Sequence, residues 1–221
     1  MVHRAQPPAP HTPHTDNQRA SIVVLASGGG TNFQALLKAH NAPGYGARVT
    51  ALVTDNPTAG AIAIAREHGI ATAVVSPRDF TDRAEWNDAL TQTVAAFSPD
   101  YVLSAGFMRI LGPTFLAAFP HRVLNTHPAL LPAFPGAHGV ADALAYGVKI
   151  TGCTLHVVDE GTDTGPIIAQ ASVPVLPRDT ENELHERIKH EERFLVVEWM
   201  SRIGRHGLRV DGRSVTLGDG Y

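Results

Sequence analysis

Cysteine is almost absent from this chain of 221 residues. Cys153 stands alone, which excludes an intrachain disulfide and a thiolate cluster for metal. No block of Lys or Arg occurs and the formal net charge is −3, so the chain lacks an electrostatic footprint for nucleic acid. Long apolar runs are missing too. The longest, such as 21–27, are far too short to cross a bilayer. No His or carboxylate pair falls at metal-ligand spacing on an expected helix, and no internal repeat is visible. These absences point to a soluble protein of a reducing compartment, the cytoplasm, with neither nucleic acid nor membrane as partner.

Residues 1–20 differ from the rest. They carry Pro7, Pro8, Pro10 and Pro13 with His3, His11 and His14, and hardly an aliphatic side chain. That composition reads as a disordered tail outside the fold rather than a signal peptide or a metal-binding stretch. The remainder, 21–221, reads as a single domain, and its length allows a substantial core.

From Ser21 onward, strand and helix patterns alternate. Ile22–Ala26 is a continuous apolar run, expected of a strand buried on both faces. Ser27-Gly28-Gly29-Gly30-Thr31 follows, with Asn32 as the expected cap of a helix over Phe33–Ala39. Strands are expected at Val49–Thr54, Ala71–Val75, Tyr101–Ala105 and Arg122–Leu124, with helices at Ala59–His68 and Arg83–Phe97. After a proline-rich turn comes a helix near His138–Tyr146, then Ile150–Val158 and Ile167–Val175 as an antiparallel pair. Thr180 and Glu183 form a capping box opening a helix over Glu181–Ile203, with Leu184, Ile188, Leu195 and Trp199 on its buried side. Asp211-Gly212 marks a terminal hairpin within 208–217. The fold class expected is α/β: a Rossmann-like, mostly parallel sheet with helices on both faces and antiparallel strands added in the C-terminal half.

Four segments carry candidate chemistry. In Asn125-Thr126-His127-Pro128, the two polar residues are two apart, so an extended backbone projects both to one side. An amide donor beside an imidazole at a strand's end suits stabilising an oxyanion while moving a proton. The glycine turn 28–30 before a helix is either a cradle for a single phosphate or a tight packing turn; Phe33 departs from the dinucleotide fingerprint. Asp159-Glu160-Gly161-Thr162-Asp163 is either a plain acidic connection or the source of a carboxylate for His127. Phe107-Met108-Arg109-Ile110-Leu111 reads equally as a pocket wall for a flat heterocycle or as the first turn of a core helix. In an open α/β sheet the crevice lies at the carboxyl ends of the strands, where 28–32, 107–111 and 125–127 all fall.

Taken together, 27–32, 105–111, 125–132 and Asp163-Thr164-Gly165-Pro166 make the chain resemble the phosphoribosylglycinamide formyltransferase family, folate-dependent enzymes of purine synthesis. The likeness runs from about Ser21 to Met200. It implies formyl transfer from 10-formyltetrahydrofolate, as co-substrate and without metal, to the amine of phosphoribosylglycinamide, and it is compatible with a homodimer. The resemblance places catalysis on Asn125, His127 and Asp163. It assigns the phosphoribosyl substrate to Gly30, Thr31, Asn32 and to Lys189, His190, Glu191, Glu192. The folate-facing positions it implies are Arg83, Met108, Arg109, Ile110, Leu111, Asn125, Asp159, Glu160, Gly161, Thr162 and Asp163. Thr154 matches a hydroxyl residue holding an active-site water. Departures from the family pattern are Thr31 for a common serine, Arg193 for a common histidine, and the proline-rich tail. Two other readings remain: a formyltetrahydrofolate hydrolase, and a non-catalytic module that binds a phosphorylated ligand through the glycine turn. Methionyl-tRNA formyltransferase would need an RNA-binding domain and a basic surface, neither of which is seen.

Overall fold

The computed structural model describes residues 19–218, so most of the proline-rich segment lies outside the described residues. Seven strands form one sheet: β1 (Ala20–Leu25), β2 (Ala47–Thr54), β3 (Ala71–Val74), β4 (Tyr101–Ser104), β5 (Val123–His127), β6 (Ile150–Val157) and β7 (Ile167–Pro174). Their order is β3-β2-β1-β4-β5-β6-β7, parallel as far as β5, with β6 antiparallel to β5 and β7 antiparallel to β6. The expected α/β class is therefore the observed one. β1 begins at Ala20, one residue inside the stretch expected to be tail, because Ala20 is fully buried and pairs with Ala47. Its apolar run over 22–25 follows from its central position, where helices cover both faces and those four side chains are buried.

The helices are α1 (Thr31–Ala39), α2 (Gly60–Glu67), α3 (Arg83–Ala95), α4 (Pro113–Ala118), α5 (Gly139–Tyr146) and α6 (Glu181–His206). One face of the sheet packs against α1, α2, α5 and α6 through Phe33, Leu36, Ala61, Ala65, Val140, Leu184, Ile188, Val196 and Met200. The other face packs against α3 and α4 through Trp86, Leu90, Val94, Phe115 and Phe119. The chain changes faces between β3 and β4. Since β1 lies between β2 and β4, the loops leaving β1 and β4 diverge, which opens a crevice at their carboxyl ends.

Several expectations are corrected. α1 starts at Thr31, and its N-cap is Gly30, not Asn32. Gly30 has φ 74°, and a β-carbon there would lie 2.8 Å from that of Ala61, so only glycine suits the position. Asn32 instead sits buried in the first turn. α4 was unforeseen; Pro113 opens it, and the rings of Phe115 and Phe119 pack tilted in the core with centroids 5.0 Å apart. Residues 107–111 are thus loop, not the first turn of a helix. α6 continues past Ile203 to His206, and Trp199 is only half-buried. Over seven turns of 3.6 residues the buried stripe shifts to Val196, Met200 and Ile203. The capping box is present, with Thr180 Oγ1 and Glu183 bonded reciprocally. β8 (Leu208–Asp211) and β9 (Ser214–Leu217) form the expected hairpin. Where α6 crosses the chain entering β2, Gly204 faces Gly46, and a β-carbon at either would overlap the other segment's backbone.

Candidate active site

β5 carries Asn125 and His127 on one face through the two-residue period of the strand. Antiparallel β6 sets His156 directly opposite Asn125 and Thr154 opposite His127. Into this group the loop after β6 brings Asp163, whose own backbone is left-handed with φ 55°. Asp163 Oδ2 lies 3.3 Å from His127 Nδ1 and accepts a hydrogen bond from Gly136 N–H at 2.8 Å. Its Oδ1 lies 3.6 Å from His156 Nε2 and 3.4 Å from Asn125 Nδ2. The expected trio of Asn125, His127 and Asp163 is therefore assembled, together with His156, which the sequence reading gave no role.

Burial pushes the Asp163 carboxyl up, but the hydrogen bonds from His156 and Gly136 N–H and the charges of His127 and His156 outweigh it. The net result is a carboxyl below the usual aspartate range, ionised at neutral pH. His127 Nε2 lies 2.7 Å from the Phe134 carbonyl oxygen, so both ring nitrogens face oxygen acceptors. Only two N–H donors satisfy that pair completely. Asn125 Nδ2 lies 3.2 Å from His156 Nε2 and turns an N–H to Asp163 Oδ1 at 3.4 Å. The second contact is long and weak, leaving that N–H the readier to meet a substrate oxygen.

Thr154 departs from its expected role. Its hydroxyl donates to Ala129 O at 2.7 Å and accepts from Leu131 N–H at 3.1 Å and Gln170 Nε2 at 3.0 Å. One donor and two lone pairs are thereby spent, so this hydroxyl shapes the turn after His127 instead of holding a water.

Around the glycine turn, the packing reading holds for one glycine, and the other two face open space. Gly30 is the packing glycine described above. Gly28 and Gly29 face open space, and α1 begins there with no side-chain cap on its free N–H groups. Asn32 Oδ1 is buried without a partner. An anion at this helix start would meet the backbone donors directly.

The loop after β4 alternates. Phe107 stacks on Trp86 in the core (6.5 Å between centroids) and Leu111 is buried, whereas Met108 and Ile110 are 77% and 64% exposed. Two exposed apolar side chains at a strand's carboxyl end form a surface for a flat apolar group. The loop is fixed by Met108 N–H on Ser27 Oγ at 2.9 Å and by Arg83, which donates to Ile110 O at 2.8 Å. Arg109 turns away to the buried carboxylate of Asp55, with Nε 2.7 Å from Oδ2. Asp159 folds its loop by accepting from Gly161 N–H at 3.1 Å and Thr164 Oγ1 at 2.6 Å, while Glu160 and Thr162 are exposed.

The four consecutive positions on α6 point in different directions. Successive helical residues point about 100° apart. Glu192 is 8% exposed, and its charge and that of Glu191 add to burial in pushing the Cys153 thiol of β6 up to about 12. That unreactive thiol is no nucleophile. His190 and Glu191 line a cleft of about 400 Å³ with Ser172, Val173, Pro174 and Arg187, and Lys189 pairs with Glu186 at 2.9 Å. Among the described residues no group of three or more His, Cys, Asp or Glu side chains is arranged to hold a metal ion, and no helix is long and apolar enough to cross a membrane.

A sheet with its crevice at β1 and β4, and an amide, two imidazoles and an ionised carboxylate gathered beside it, is the arrangement of a group-transfer enzyme. The chain belongs to the formyl transferase family, whose sequence pattern matches residues 20–200. It is similar to the phosphoribosylglycinamide formyltransferase of Mycobacterium tuberculosis, 55% identical over 199 residues, 90% of this chain and 92% of that protein. The Bacillus subtilis protein of the same name is 38% identical over 167 residues, 76% of this chain and 86% of that one. In structure it resembles glycinamide ribonucleotide transformylase 1 from Symbiobacterium toebii, with a TM-score of 0.87 and 40% identity over 90% of this chain and 94% of that one.

Proposed function

We propose that this chain transfers the formyl group of 10-formyltetrahydrofolate to the amine of phosphoribosylglycinamide, a step of purine biosynthesis. The observation that carries the reading is the meeting of Asn125, His127 and His156 at the carboxylate of Asp163. The glycinamide amine attacks the formyl carbon and the carbonyl electron pair moves onto oxygen. Asn125 N–H and the His127 ring stabilise that oxyanion, and the Asp163 carboxylate supports the positive charge on the ring. Collapse breaks the bond from carbon to the folate nitrogen, which takes up a proton as the attacking amine gives one up. No covalent intermediate on the protein is needed.

The α1 N-terminus behind Gly28 and Gly29 suits the substrate phosphate, and buried Glu192 suits hydroxyls of the ribose. Met108 and Ile110, flanked by Arg83, suit the flat ring and the anionic tail of the folate. The assignment is tested by mixing the protein with 10-formyl folate and glycinamide ribonucleotide and following folate absorbance, with a control lacking the acceptor. Acceptor-dependent release of tetrahydrofolate is the expected result. Release at the same rate without acceptor would make the protein a hydrolase, and binding of the ribonucleotide without any release would make it a non-catalytic module.

A further inference from the structure

Asp163 is held from the crevice side by Gly136 N–H, Asn125 and the two histidines, yet it sits in an exposed loop in a backbone conformation that non-glycine residues rarely adopt. Within that loop, the bonds from Thr164 Oγ1 and Gly161 N–H to Asp159 close the loop on itself and do not tie it to the body of the protein. From the outside, one side chain among the described residues grips it, next to the backbone bond from Val157 N–H to Pro166 O at 2.9 Å. Arg213, at the turn of the β8–β9 hairpin, donates through one terminal nitrogen to the Thr164 carbonyl and through the other to the Gly165 carbonyl at 3.5 Å. Those carbonyls belong to the two residues immediately after Asp163. The planar guanidinium fork suits this, because two donors fixed relative to each other set the direction of the segment as well as its position.

The hairpin does not depend on that grip. It is anchored separately by buried Leu217, by Gly218 N–H on His206 O at 3.1 Å, and by packing of β9 on β7. It also lies beyond residues 20–200, where the family's sequence pattern ends. We infer that Arg213 is a positioning residue for the reaction: the terminal hairpin uses it to hold Asp163 in register with His127 and His156. The inference rests on the formyl-transfer reading given above.

The test measures steady-state formyl transfer and thermal unfolding for the wild type, Arg213→Ala and Arg213→Lys. Arg213→Ala is expected to lower kcat about tenfold, since a small misplacement of a catalytic group is amplified in rate. Its KM values for both substrates are expected to stay within about twofold of wild type, the signature of an interaction that matters in the transition state. Its unfolding midpoint should be unchanged. Arg213→Lys, a single point donor, should give an intermediate kcat. A wild-type kcat in either folded variant overturns the inference, as does a loss of kcat in Arg213→Ala that matches a loss of folded protein. Failure of the wild type to transfer formyl at all would instead overturn the underlying reading, so the two failures are distinguishable.

Discussion

Asp163 sets one carboxylate oxygen against each of two buried histidines, Oδ2 at 3.3 Å from His127 Nδ1 and Oδ1 at 3.6 Å from His156 Nε2. A carboxylate can do this because it is an acceptor on both sides; an amide is not, and one of its ends must present N–H to a ring.

Asp163→Asn therefore tests the centre of the site. Turnover is expected to fall about a hundredfold or more, equivalent to roughly 3 kcal/mol of transition-state stabilisation, with KM little changed. Steady-state kinetics with both substrates reads this, and circular dichroism checks the fold. An active variant with normal turnover would remove Asp163 from the mechanism.

Gly139, the first residue of α5, is the second point of attack. A β-carbon there would lie 3.1 Å from His127 Nε2 and 3.0 Å from Phe134 O, the two atoms that share a 2.7 Å contact. Gly139→Ala should push the ring off its carbonyl partner and lower kcat by about tenfold while the protein stays folded. Kinetics paired with a thermal midpoint separates this from simple destabilisation.

The parts of this design that are local in the chain could be read from sequence, and those set by distant register could not. β1 and the capping box of α6 declare themselves within a few residues, because burial on both faces and reciprocal capping are local patterns. Asn125 and His127 share a strand, so their common direction was also readable. His156 was not: its place opposite Asn125 depends on the antiparallel pairing of β6 with β5. Asp163 and Arg213 come from turns whose paths follow from the packed whole, and only family resemblance flagged the first. α4 was missed because six residues opened by one proline make too short a signal. The run 189–192 was flagged by the family resemblance alone, because neighbours on a helix point in different directions and show no common face in the sequence.

Asp55 and Arg109 join the end of β2 to the loop after β4. Asp55 Oδ1 is buried without a partner, so the Arg109 Nε bond at 2.7 Å is the carboxylate's main support. Arg109→Ala should cost on the order of 2 kcal/mol, chiefly by stranding that carboxylate. Asp55→Ala combined with Arg109→Ala should cost less than the sum of the single changes. Urea unfolding of the four proteins closes the cycle.

His40 caps α1 with its ring 5% exposed and Nδ1 unpartnered. Burial, then the charges of Arg19, Arg48 and His68, hold it below the ordinary value of 6.5. The unfolded chain binds a proton near pH 6.5 while the folded chain does not. Stability should therefore fall as pH drops below 6.5 and level off once pH passes the lowered folded value. His40→Leu should flatten that slope in urea midpoints measured between about pH 7.5 and 5.

The meeting of Gly204 with Gly46 has a consequence twelve residues up α6. With backbone lying on backbone beside the Arg205 stem, and Gly46 N–H bonded to Ser201 Oγ at 3.1 Å, this end of the helix has little room to slide along its axis. Glu192 stands about 18 Å away along a rigid rod rising 1.5 Å per residue. The height of that buried acid along α6 is thus gauged by two residues that have no side chains at all, and enlarging either one would be felt where the ribose is proposed to sit.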